Sequence, residues 1–259
     1  MTRARCFALF TMLATCGQFA DAMPAHRLLG HHGPTVVLEA GQGLGMRSWD
    51  QVAPRLARCA RVVVYDRAGI GVSPPRPDAS AVKADEAADA LADLLRAIHA
   101  PPPYILVGHS LGGLYVQSFA RRHPRDIAAV VLVDATSPLE PPGVFVSTTP
   151  FPPGSIAAAE EAGVAPSQAD LLAGPPFPAV PLVVLAATDH GDTAEREALW
   201  LQVQARTAAL SPKGRLEVVE GSGHFIQDDR PEAVVDAVRE VAKAAGMPLA
   251  GCDAVRPRH

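Results

Sequence analysis

The stretch Gly108-His109-Ser110-Leu111-Gly112 constrains this chain more than any other. Tyr104 to Val107 before it is a short apolar run that reads as a buried strand, and Leu111 to Arg122 after it reads as a helix. A serine held between strand and helix in a G-x-S-x-G pattern sits on a tight turn, its hydroxyl raised above the sheet edge. Glycine is needed two residues to either side because side chains there would collide across the turn. The first N–H groups of the helix then face whatever the serine attacks. By composition alone such a pentapeptide arises in about one chain in ten of this length, so the flanking elements and the remaining chain must carry the argument.

Those elements recur in alternation. Strands are expected at 34–40, 61–65, 128–133, 181–186 and 216–219, each dominated by Val, Leu or Ala. Helices are expected between them. The first is capped by Ser48 and carries Trp49, Val52 and Leu56. The others run over 81–99, 193–210 and 231–245, with Ala87, Leu91, Leu94, Leu95 and Ile98 sharing one face of 81–99. Continuous apolar strands alternating with helices indicate an α/β fold with a mostly parallel sheet covered on both faces. Reactive groups in such sheets lie at the carboxyl ends of the strands. Residues 139–179 break the alternation. They are rich in Pro, Ala and Gly, include a short helical stretch near 156–162, and are expected to form a cap or lid over a site.

A serine hydroxyl needs a base to become a nucleophile, and histidine is suited to that work near neutral pH. A carboxylate then orients the imidazole and stabilises its charged form. In this architecture the chain order is Ser, acid, His. His224, after the last strand and behind Gly221-Ser222-Gly223, is the expected base, and His190 is the other late candidate. Three acids come into question. Asp189 follows the strand at 181–186 and is favoured; Asp192 lies three residues on, and Asp134 ends the strand after the elbow helix. The oxyanion calls for two N–H donors, expected from the backbones of Leu111 and Gln42.

Taken together, Gly41 to Gly45, Asp66-Arg67-Ala68-Gly69-Ile70-Gly71-Val72-Ser73, the elbow through Gly113, Asp189, and Gly223-His224 with Asp228-Asp229-Arg230-Pro231 resemble the α/β-hydrolase fold family over roughly residues 34–245. The resemblance implies an eight-stranded sheet, a cap after the sixth strand and Ser-His-Asp hydrolase chemistry. It also implies relatives that hydrolyse C–C bonds, act as cofactor-free haloperoxidases or transfer acyl groups. Two features depart from the family pattern. Ala40-Gly41 stands where His-Gly is usual, and the N-terminal hairpin is nearly absent. A serine nucleophile argues against haloalkane dehalogenase and epoxide hydrolase chemistry, which relies on aspartate there.

The remaining sequence sets bounds. Arg3 and Arg5 precede an apolar stretch from Cys6 to Ala20, and Ala20-Asp21-Ala22 is an A-x-A cleavage pattern, so residues 1–22 read as a secretory signal peptide and 23–259 as the hydrolase domain. Leu13-Ala14-Thr15-Cys16 matches a lipoprotein box poorly at Thr15. Export leaves Cys59 and Cys252 in an oxidising compartment, as a disulfide or as two thiols. A net charge of −4 points to no nucleic-acid partner. The expectation is an exported hydrolase with no cofactor or metal, acting on a small apolar carboxylic ester; amide, lactone and C–C bond cleavage and acyl transfer are alternatives. Two rival readings remain. Gly41, Gly43 and Gly45 with Asp66 mimic a dinucleotide fingerprint, though Met46 stands where the third glycine belongs. A binding protein on the same scaffold, with catalysis lost, is the other.

Overall fold

The structure is a computed structural model that describes residues 23–145 and 150–250. The expected signal peptide, Val146 of the insertion and Cys252 lie outside the described residues. Seven strands form one sheet among the described residues, where the family resemblance implies eight. They are β1 (His26–Leu29), β2 (Thr35–Glu39), β3 (Arg61–Tyr65), β4 (Tyr104–His109), β5 (Ile127–Val133), β6 (Leu182–Ala187) and β7 (Gly214–Val219), in the order β1-β3-β2-β4-β5-β6-β7. Only β1 runs antiparallel, against β3. It was not foreseen, because a four-residue edge strand with two exposed positions carries little periodic signal.

Each central strand is apolar on both sides, and the strand period of two sends alternate residues to two separate cores. Val36, Leu38, Val62 and Val64 enter a core under α1 (Ala53–Leu56) and α7 (Pro231–Ala244). Val37, Val63, Leu106 and Leu132 enter the other, under α2 (Ala84–Ala97) and α3 (Leu111–Arg122). Two helices complete the carboxyl side, α5 (Ala194–Ala208) and the single turn α6 (Ile226–Asp229). Ser48 does not cap a helix as expected. It lies within a 3-10 turn, Met46–Trp49, and its Oγ donates to the Gly45 carbonyl at 2.7 Å. Among the described residues no helix is long and apolar enough to cross a membrane.

The insertion folds into one long helix, α4 (Ile156–Ala173), rather than the short turn expected at 156–162. Ser155 Oγ caps it by accepting the Ala158 N–H at 3.2 Å. Its seat is close. A Cβ on Gly163 would lie 1.8 Å from the Val82 carbonyl oxygen, and Ser167 Oγ accepts the Ala84 N–H at 2.8 Å.

A buried charge anchors α4 to the sheet. Arg67, 8% exposed, follows β3. Its Nη1 reaches Glu39 Oε1 at 2.5 Å and the Ala40 carbonyl at 2.8 Å. Its Nη2 donates to the Gly41 carbonyl at 2.7 Å, and its Nε donates to Glu160 Oε1 of α4 at 2.8 Å. Glu160 Oε2 in turn accepts the Gly43 N–H at 2.7 Å, and Tyr65 O–H donates to Glu39. Burial lifts Glu39 above the ordinary carboxylate range against the pull of Arg67. Removing one partner of a buried ion pair strands the other. Arg67→Met is therefore expected to lower unfolding stability by about 3–5 kcal/mol, measured by denaturant titration. Adding Glu39→Gln and Glu160→Gln should restore part of that loss; an unchanged midpoint in Arg67→Met would refute the anchor.

Candidate active site

The site is built at the carboxyl ends of the middle strands. Ser110 follows β4, the fourth of seven strands in the sheet, with φ 52° and ψ −126°. A non-glycine residue at positive φ is strained, and surrounding structure must hold it there. Close packing supplies the hold. A Cβ on Gly108 would lie 2.6 Å from the Gly112 carbonyl oxygen, and one on Gly112 would lie 2.4 Å from that of Ala40. The turn therefore needs both glycines, as its pattern implies.

His224 and Ser110 line the same cavity of about 440 Å³, which Gln42 and Leu111 also line. Leu111 is the first residue of α3, so its N–H has no carbonyl within the helix to serve. At Gln42 the geometry comes from Arg67. Gly41 C=O and Gln42 N–H belong to one planar trans peptide, so fixing the carbonyl on Arg67 turns the N–H the opposite way. The Gln42 side chain donates to the Ala157 carbonyl at 2.8 Å and to Glu161 Oε2 at 3.0 Å, tying this turn to α4 a second time.

The acid is where the structure corrects the sequence reading. Asp189 does not meet His224. It is exposed, and its backbone N–H donates to the Ser222 carbonyl at 3.1 Å. Asp192 is also exposed and pairs with Arg196 Nε at 2.7 Å. The carboxylate on His224 Nδ1 is Asp134 Oδ2, at 2.7 Å. Strand register explains this. His109 of β4 pairs with Val133 of β5, so the residues that leave those strand ends, Ser110 and Asp134, emerge side by side. Asp134 is fully buried and its carboxylate is saturated. Oδ1 accepts Trp200 Nε1–H at 2.7 Å and the Ala187 N–H at 2.9 Å, while Oδ2 also faces His190 Nε2 at 2.7 Å. Burial alone would raise its pKa, but the bonds from His190 and His224 outweigh burial and hold it well below the ordinary carboxylate range.

Two further histidines pack against this pair: His109, and His190, the other candidate base. His109, the variable residue of the elbow, is buried under the base. Its Nε2 meets the His224 carbonyl at 2.9 Å, and the two rings lie 4.7 Å apart. Burial, with His224 alongside, pushes its pKa down to about 3, so it is neutral and Nε2–H donates. His190 is held between Asp134 and Glu197, whose Oε2 lies 2.7 Å from His190 Nδ1. The bond to Asp134 raises its pKa to about 9 against partial burial. Asp229, in the downstream Asp228-Asp229-Arg230-Pro231 stretch, steadies the base loop by accepting the Gly223 N–H at 2.9 Å.

Ring and carboxylate atoms of Asp134, His190 and His224 lie within 4.8 Å of one another, a spacing a metal ion would accept. Here those atoms face one another as donors and acceptor at 2.7 Å, which is the geometry of shared protons. The dinucleotide reading finds no support at its acid. Asp66 Oδ1 accepts the Met46 N–H at 2.7 Å and Oδ2 the Val72 N–H at 3.2 Å, so this carboxylate staples two turns together.

Comparison with known proteins agrees with this architecture. A family model described as alpha/beta hydrolase fold matches residues 34–157. The uncharacterized protein YqjL of Bacillus subtilis is 27% identical over 83% of this chain and 86% of its own length. A pimeloyl-[acyl-carrier protein] methyl ester esterase of Chromobacterium violaceum is 44% identical over 41% of this chain, a match that spans only 38% of that protein. Among solved structures, a thermophilic esterase from Thermogutta terrifontis superposes with a TM-score of 0.67 at 22% identity, covering 85% of this chain and 93% of the esterase. The chain has the α/β-hydrolase fold.

Proposed function

We propose that this chain is a serine hydrolase that cleaves a carboxylic ester through an acyl-enzyme, with Ser110, His224 and Asp134 as its triad. One observation carries the reading: a buried carboxylate at 2.7 Å from the inner nitrogen of His224, beside a strained serine that opens on the same cavity. Ser110 Oγ attacks the ester carbonyl as His224 Nε2 takes its proton. Asp134 holds the imidazole by Nδ1–H and stabilises its charge. The N–H groups of Leu111 and Gln42 receive the oxyanion. His224 then returns the proton to the leaving alcohol, and water repeats the sequence on the acyl-enzyme. An apolar substrate is supported by the walls of the cavity, where Phe145, Val164, Leu172 and Trp200 take part. The esterase names of similar proteins lean the same way.

Hydrolysis of a short p-nitrophenyl ester series tests the reading. Ser110→Ala should abolish acyl-enzyme formation. Asp134→Asn should lower kcat by about 10³–10⁴-fold, because it favours the wrong imidazole tautomer. Asp189→Asn should stay within a few-fold of the parent. If Asp189→Asn is crippled while folded Asp134→Asn is active, the acid assignment is wrong; equal activity in Ser110→Ala would remove the serine mechanism.

Export is part of the same proposal. Cys59 is disulfide-bonded. A structural disulfide favours an oxidising compartment and so supports the signal-peptide reading. Mass spectrometry of the chain from its native host should find an N-terminus at Met23 and a Cys59–Cys252 crosslink. A retained leader with free thiols would overturn it.

A further inference from the structure

We propose that His190 is a standing imidazolium that shares Asp134 with His224 and extends hydrolysis to lower pH. The inference rests on the triad proposed above and adds a positioning residue to it. Its ground is a proton count. His190 Nε2 lies 2.7 Å from Asp134 Oδ2, and Nδ1 lies 2.7 Å from Glu197 Oε2. A neutral imidazole has one N–H to donate, so it satisfies only one of these acceptors. Two carboxylate oxygens at hydrogen-bonding distance from both ring nitrogens call for the doubly protonated ring. The loop reinforces the arrangement, since the His190 N–H donates to the other Glu197 oxygen at 2.8 Å.

The neighbours can be named from every side. Asp134 approaches from the end of β5, Glu197 from α5, and the ring of His224 stands 6.2 Å away on the loop after β7. Trp200 packs edge-on at 5.7 Å and is uncharged. The ion pair Asp192–Arg196 closes on itself nearby and lines the same cavity. Glu140 faces that cavity from the loop after β5, and burial pushes its pKa up to about 7.

The sign of the effect follows. In an ordinary triad the buried aspartate alone faces the base and favours its protonated, inactive form. Here a cation sits on the same aspartate oxygen. It offsets the negative field at His224 and opposes protonation of the base from 6.2 Å. The base is then free at lower pH than Asp134 alone would allow. His190 also completes the four donors that keep the Asp134 carboxylate from turning.

Two measurements test this. The first is the pH dependence of Ser110 inactivation by a fluorophosphonate, which needs no knowledge of the natural ester. His190→Gln keeps a donor toward Asp134 and removes the charge. Its acid limb should move toward higher pH by about one unit. The second is ¹⁵N NMR of the His190 ring in the parent protein, read at pH 7. Both ring nitrogens should carry protons. An unmoved limb in folded His190→Gln, or one unprotonated ring nitrogen at pH 7, overturns the proposal. If His190→Gln does not fold, the NMR result on the parent decides alone. If the fluorophosphonate never labels Ser110, the triad reading fails, while the NMR result still reports the charge on His190.

Discussion

A guanidinium shut away from water must place its N–H groups on protein, and Arg67 places four of them on three different parts of this molecule. It takes the end of β2 through Glu39, the following turn through the Ala40 and Gly41 carbonyls, and α4 through Glu160. Burial opposes its charge, but Glu160 and Glu39 more than restore it and hold Arg67 above its ordinary value. None of the three parts can shift without leaving a buried charge unmet, a cost of several kcal/mol. The shape of the turn facing Ser110 is thus set from behind by electrostatics, with α4 as one of its supports.

The acid side of the site follows a similar logic with the signs exchanged. Asp134 is anionic, buried and surrounded by donors from β6, α5, the loop after β6 and the loop after β7. It also has φ 42°, an uncommon value for a residue with a side chain. Both it and Ser110 leave their strands in strained conformations, next to one another. Strain of this kind persists only where the surroundings over-determine it, and the surroundings here are the closely packed glycines on one side and the saturated carboxylate on the other.

Much of this was legible in the amino-acid sequence because it is local. Apolar β-branched runs marked the parallel strands, the elbow glycines marked the turn, and position after the last strand singled out His224. What escaped was non-local. Asp189 and Asp134 both end strands in the right chain order, and only register, with Val133 beside His109, decides which reaches the base. The full length of α4 is not legible because its Ala-rich sequence, with Pro166 inside, carries little amphipathic pattern. Its fixing residues find partners far away in the chain: Glu160 meets Arg67, and Ser167 meets Ala84. His109 read as the variable residue of the elbow and His190 as a second candidate base; the fold places one beneath His224 and the other against Asp134.

Asp134 directly follows β5, and that position limits how such a molecule can diverge. Where the acid sits after β6, the loop that carries it can scarcely change length without misplacing the carboxylate. Here that loop contributes His190 to the carboxylate and not the carboxylate itself, which follows β5, the strand beside the central β4 and paired along both edges. Loops drift faster than the elements they join. Ser110 and Asp134 thus descend together on adjoining strands, while the loop after β6 can change only on either side of His190.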